Sequence, residues 1–133
     1  MKCIFLRHGI AADREAWTGA DADRPLTEAG IERMKREAKA LATRSLGVER
    51  IVTSPLVRAA ETAAVEDVIL EAHPDIESIM LVGHEPTMSE TIGELIGGGR
   101  IDLKKGGIAC VEIPNRKMMR GTLLWLAPPK MLV

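Results

Sequence analysis

The sequence predicts an α/β fold: a three-layer sandwich with a mostly parallel sheet, helices on both faces and a C-terminal antiparallel hairpin. Three observations lead there. Strand-like runs (KCIFL, RIVTS, SIMLVGH) each precede a segment of helical character, which is the order of βαβ units. The first and third runs are apolar without alternation, as in strands covered on both faces. The last two strand-like runs, GGIACVEIP and GTLLWLAPP, are joined only by the short polar segment NRKMMR, so they pair as a hairpin.

Each element has its own signals. KCIFL runs straight into Arg7, His8 and Gly9. A polar loop covers residues 10–25. Thr27 is the expected N-cap of the first helix. Ile31, Met34, Ala38 and Leu41 recur at spacings that make one apolar stripe, opposite Glu32, Arg33, Lys35, Arg36 and Lys39. Gly47 is expected to end this helix. After RIVTS, Ser54 and Pro55 read as N-cap and first helical position, and His73-Pro74 stops that helix. His73 itself reads as an exposed helix-end residue. SIMLVGH is the third strand. Met88, Ile92, Leu95 and Ile96 form the stripe of the helix after it, and three glycines close it.

Composition narrows the class. The 133 residues are 46% hydrophobic and 28% charged, with net charge -1. This suits one domain, residues 1–133, with a real core, and bulk charge predicts no nucleic-acid or membrane partner. One Phe, two Trp and no Tyr make the core aliphatic. Cys3 and Cys110 lie in apolar runs and read as reduced core thiols of a cytoplasmic protein. The N-terminal apolar run is too short for a signal peptide, and no stretch approaches a membrane span.

Right-handed crossovers bring the carboxyl ends of the parallel strands to one edge, where such sheets bind ligands. Three motifs reach it: Arg7-His8-Gly9, then Thr53-Ser54 with Arg58 one turn on, then Gly83-His84-Glu85. Two helix N-termini offer free N–H groups, and arginine offers a planar fork matched to phosphate oxygens. The edge therefore reads as a phosphoryl site. A neutral imidazole whose other nitrogen donates to a backbone carbonyl is an aimed nucleophile. A second imidazole, protonated, stabilises the transferring charge. Metal binding is the rival reading. There is no HxH or HExxH pair, and neighbouring arginines repel a cation.

These residues carry a resemblance. RHG at 7–9, TSPLVRAAET at 53–62 and LVGHEP at 81–86 resemble the histidine phosphatase superfamily, the phosphoglycerate mutase-like fold. RPLTEAG at 24–30, the short chain and the hairpin are similar to its SixA-type phosphohistidine phosphatase branch. The resemblance implies that His8 becomes transiently phosphorylated. Arg7, Arg58 and His84 would bind the phosphoryl oxygens, with the backbone of Gly9 and Glu85 beside them, and no cofactor or metal is needed. Gly9 is expected to let the substrate approach.

The chain departs from the family pattern between its second and third motifs. Only residues 63–80 separate them. Against that pattern a strand-plus-loop unit at the sheet edge reads as missing, and one fused helix is expected over roughly residues 55–72. That segment often supplies pocket walls and, in other branches, a proton donor. Glu85 is read first as a helix N-terminal acid favoured by the dipole and second as a general acid. Arg24 reads either as a surface cation or as a contact to a phosphoprotein substrate. Trp17 is placed over the pocket mouth. The expected function is a phosphatase acting on phosphohistidine, its partner a phosphorylated protein or a small phosphorylated substrate. The alternatives are a small-molecule phosphomonoesterase and a non-catalytic phosphate- or phosphoprotein-binding module.

Overall fold

Five strands build one sheet in the order β2-β3-β1-β4-β5. In chain order these are β1 (Lys2–Arg7), β2 (Arg50–Thr53), β3 (Ser78–Gly83), β4 (Ile108–Asn115) and β5 (Arg120–Ala127), with helices α1 (Glu28–Ala42) and α2 (Thr87–Leu95). The computed structural model describes residues 1–9, 11, 13–20, 24–53 and 68–132. β1 and β2 both run parallel to β3, whereas β4 runs antiparallel to β1 and β5 antiparallel to β4. Among the described residues, no helix is long and apolar enough to cross a membrane.

The apolar runs form central strands because both sheet faces are covered. On one face Cys3, Phe5, Ile79 and Leu81 pack with Met88, Ile92 and Leu95 of α2 and with Ile69 of the helical residues 68–71. On the other, Ile4, Leu6, Met80, Ile108 and Cys110 pack with Leu41 of α1 and Leu132. Truncating a fully buried aliphatic side chain such as Ile92 removes about 2–5 kcal/mol. The three layers follow from period-two strands sharing residues between two helical covers.

α1 begins at Thr27, whose hydroxyl accepts from Gly30 N at 3.0 Å. It ends at Ala42, earlier than expected, because Thr43 caps it; Gly47, at φ +65°, lies beyond the turn that follows. The buried positions of α1 are Gly30, Glu37 and Leu41. Ile31 is 41% exposed, and Ala38 is also exposed. The predicted stripe is thus only partly filled. Ala38 borders a groove of about 540 Å³ beside β2, lined also by Met34, Leu41, Leu46, Ile51 and Met80. β2 is the sheet edge, and its Ile51 is 62% exposed. Between residue 68 and Ser78 the chain makes a helical turn, a bend and a turn, with no strand. The predicted start of that helix at Ser54 and Pro55 lies outside the described residues.

The hairpin turn is held by Asn115, whose side chain accepts from Lys117 N at 3.0 Å. Arg116 then reaches across to the carbonyls of Ala72, His73, Pro74 and Ile76. Both cysteines are free and buried, and burial pushes the Cys3 thiol up to about 12.

Candidate active site

The site is built at the carboxyl end of β1. Arg7 pairs with Gly83 in register, and His8 N donates to Gly83 O at 3.0 Å. On the other side, Arg7 N donates to Gly107 O at 3.0 Å, and Gly106 N is 3.2 Å from both Arg7 O and His8 O. The Arg7 side chain adds a bond from Nη1 to Leu103 O at 2.7 Å. The backbone of the Arg7-His8 pair is thereby held from both sides. Arg7 Nε is buried with no hydrogen-bond partner, so an anionic group meeting that N–H would satisfy it.

His8 is half-buried. Its Nδ1 lies 2.8 Å from Gly9 O. A carbonyl can only accept, so Nδ1 carries the proton and the Nε2 lone pair is free to attack. The His84 ring stands 4.5 Å from the His8 ring, centroid to centroid, tilted by 60°. Burial, then the charges of His84, Arg7 and Lys105, hold the His8 imidazole below its ordinary value, against the opposing Gly9 bond. Burial and the surrounding charges thus favour the neutral ring.

Gly9 has a packing reason to be glycine. A Cβ there would lie 2.6 Å from Met34 Cγ. That direction is taken by α1. Gly83 is similar, because a Cβ would meet the end of Met88.

The structure places the other predicted residues as follows. His84 and Glu85 lead into α2, and His84 O accepts from Met88 N at 3.0 Å. Glu85 Oε1 accepts from Ser89 N at 3.0 Å, so the carboxylate serves the open N–H groups of the helix start. Trp17 donates from Nε1 to Ala20 O at 2.8 Å and packs on Gly19. Arg24 is half-buried just before the Leu26 bridge to Ala11. Arg58 lies outside the described residues. His73 is exposed beside Asp75.

Two residues at the site escaped sequence reasoning. Lys105 is an exposed cation in the turn that clamps His8. The signal for it was the doublet Lys104-Lys105 directly before two glycines that open a strand. Glu37 is fully buried on α1, with Oε1 accepting from Arg33 Nε at 3.0 Å and Oε2 unpartnered. Burial pushes its carboxyl up, opposed by Arg33. A Cβ on Gly106 would lie 2.6 Å from Glu37 Oε2, so the carboxyl forms the floor under the turn that holds Arg7 and His8.

A sheet of this topology, with two histidines and an arginine at its carboxyl edge, defines a phosphoglycerate mutase-like α/β domain. The profile of the histidine phosphatase superfamily (branch 1) matches residues 3–77, and the chain belongs to that family. An uncharacterized protein of Picosynechococcus sp. (strain ATCC 27264 / PCC 7002 / PR-6) is 33% identical over 166 positions, covering 100% of this chain and 99% of its own. Those 166 positions exceed the 133 residues here, so the relative has a stretch without counterpart in this chain. Among solved structures, the protein histidine phosphatase SixA complexed with tungstate superposes with a TM-score of 0.81 at 20% identity, covering all of both chains. Phosphoserine phosphatase from Entamoeba histolytica, in complex with 3-phosphoglyceric acid, gives a TM-score of 0.71 at 14% identity over 99% of each chain.

Proposed function

We propose that this chain is a phosphatase that hydrolyses phosphohistidine, most naturally that of a protein, through a phosphorylated His8. The observation that carries the reading is the bond from His8 Nδ1 to Gly9 O, which leaves Nε2 as an aimed lone pair opposite His84. The whole chain is read as one domain. Its two buried free cysteines suit a reducing, cytoplasmic setting.

The proposed chemistry uses this geometry. His8 Nε2 attacks phosphorus, a P–N bond forms on the enzyme, and the bond to the leaving group breaks. Positive charge developing on the His8 ring is met by the Gly9 carbonyl through Nδ1–H. Arg7 and a protonated His84 meet the negative oxygens, joined by Arg58 as the family resemblance implies. Water then attacks phosphorus, the electron pair of the P–N bond returns to His8 Nε2, and inorganic phosphate departs. A phosphohistidine leaving group whose other ring nitrogen carries a proton departs as neutral imidazole. It needs no acid at the breaking bond, whereas an alkoxide does. Glu85, already accepting from Ser89 N, fits a substrate that makes no such demand.

A second reading, a small-molecule phosphomonoesterase, is favoured by the fold likeness to the Entamoeba phosphoserine phosphatase. A turnover screen of phosphohistidine peptides against phosphomonoesters decides between them. Higher kcat/KM on the peptides supports the proposal, and turnover confined to monoesters overturns it. Trapping phosphate on His8 separates either enzyme from a binding module.

A further inference from the structure

We infer that Glu37 is a positioning residue for phosphoryl transfer, acting on the His8 imidazole through Gly106, a role that rests on the reading of His8 as the phosphoryl acceptor. Gly106 N stands 3.2 Å from both Arg7 O and His8 O. His8 O belongs to the peptide that leads into Gly9, and Gly9 O is the group that meets His8 Nδ1 at 2.8 Å. The place of the Gly106 amide therefore bears on the carbonyl that aims the imidazole. Gly106 has φ +75°, a conformation open to glycine. The space where its side chain would begin is filled from α1: a Cβ there would lie 2.6 Å from Glu37 Oε2, 2.9 Å from Oε1 and 3.1 Å from Cδ. The carboxyl thus turns both oxygens to the turn. Met34, three residues earlier on α1, fills the corresponding space under Gly9. Residues three apart share a helix face, so one face of α1 supports both peptides that set the direction of His8.

Stability does not account for a carboxyl at this place. Glu37 is fully buried, Oε1 accepts from Arg33 Nε at 3.0 Å, and Oε2 meets no hydrogen-bond donor among the described residues. A buried carboxyl with an unpartnered oxygen adds little to the folded state, and an apolar side chain would fill the same space more favourably. Arg33 would not be left buried and unpaired by such a change, because its side chain is 32% exposed. What the carboxyl offers is direction. It is flat, and the bond from Arg33, one turn earlier on α1, holds its orientation from the helix. A methionine of similar length has no such tether and adapts its last bonds to the space around it. A nucleophile misplaced by about 1 Å loses on the order of a hundredfold in rate. A fixed floor at residue 37 therefore acts on the rate without a matching contribution to stability.

The test uses the full chain with phosphoramidate as a small P–N donor. Rapid-quench mixing gives the saturating rate at which phosphate appears on His8 and the donor concentration for half that rate. Urea denaturation gives stability. Glu37→Met should be at least as stable as Glu37→Gln, yet it should lower the rate about tenfold or more. Its half-saturating concentration should stay within about threefold of the parent, since the loss falls on the transfer step. Glu37→Gln keeps the flat outline and an acceptor for Arg33 Nε, so its rate should stay within about threefold of the parent. Arg33→Met should slow the parent and add nothing in the Glu37→Met background, as two partners of one contact do. A parental rate in Glu37→Met, an equal loss in Glu37→Gln, or a Glu37→Met chain less stable than Glu37→Gln overturns the inference. So does a loss confined to half-saturation, or an Arg33→Met effect that persists in the Glu37→Met background. If the parent gains no phosphate on His8 from phosphoramidate or from a phosphohistidine peptide, the reading of the site falls and the inference with it. Where the parent is phosphorylated, the overturning outcomes remove the inference alone.

Discussion

The His8 and His84 rings face each other at 4.5 Å, centroid to centroid, and the arrangement asks them to hold different charges. Two imidazolium rings at that distance repel. His8 is the one placed to stay neutral, because burial, His84, Arg7 and Lys105 all push it below its ordinary value. In the proposed chemistry the pair sorts into a nucleophile and an electrostatic partner.

The acid limb of kcat/KM should accordingly fall below pH 6.5, the ordinary value of a free imidazole. His8→Ala should lower turnover by at least about a thousandfold, as loss of a nucleophile does, while keeping the far-UV circular dichroism of the parent. Stability carries the same sign. A group with a lowered folded value adds to stability above its unfolded value, and that contribution is lost as pH falls through the folded one. The parent should therefore lose stability below about pH 6.5 faster than His8→Ala in acid denaturation.

Substitution at Glu85 should separate bond types. In Glu85→Gln the amide oxygen can still accept from Ser89 N, so helix α2 keeps its start. Turnover of a phosphohistidine peptide should stay within about threefold of the parent, a shift of less than 1 kcal/mol. Steady-state kinetics on that peptide and on an alkyl phosphate check this. Alkyl phosphate turnover that vanishes selectively in the variant would make Glu85 a working acid.

Gly106→Ala should lose about 1–3 kcal/mol of stability, because it forces a side chain into φ +75° against the Glu37 carboxyl. It should also lower kcat, since the displaced amide is the one held by Arg7 O and His8 O. Urea denaturation and kinetics measure the two effects. A variant that is destabilised but fully active would uncouple the turn from the site.

Activity should persist in EDTA. The groups proposed to meet phosphoryl charge are arginines, a histidine and N–H donors. Loss of turnover on chelation, restored by a divalent ion, would contradict the proposed chemistry.

Much of the fold was readable because the strands announced themselves by their apolar runs and by the short polar link of the hairpin. The unbroken apolar run of β1 required two covers, and it has them. Thr27 was readable as a cap because a hydroxyl before a periodic stripe has one favourable place to donate or accept. The buried set of α1 was not readable. Helical periodicity says which residues share a face, not whether a neighbouring layer exists to fill it, and beside β2 it is a groove. The charge on Glu37 hid its burial for a similar reason: only the tertiary approach of Gly106 explains it. At the site, Arg7, His8 and His84 stood out because polar side chains at the ends of parallel strands converge by topology. Lys105 did not, because its closeness to His8 depends on a turn whose partner lies nearly a hundred residues earlier.

The four carbonyls gathered by Arg116 sit at the end of the sheet away from His8, beyond the Lys2–Ser78 and Lys2–Glu112 pairings. One guanidinium thus buckles the hairpin to the stretch of chain entering β3. The C-terminal hairpin cannot peel away without undoing that entrance, so the two regions should exchange their amide protons as one cooperative block. Phosphate binding would then protect amides at the opposite rim and leave this block almost unchanged, giving the molecule a quiet end and a responsive one.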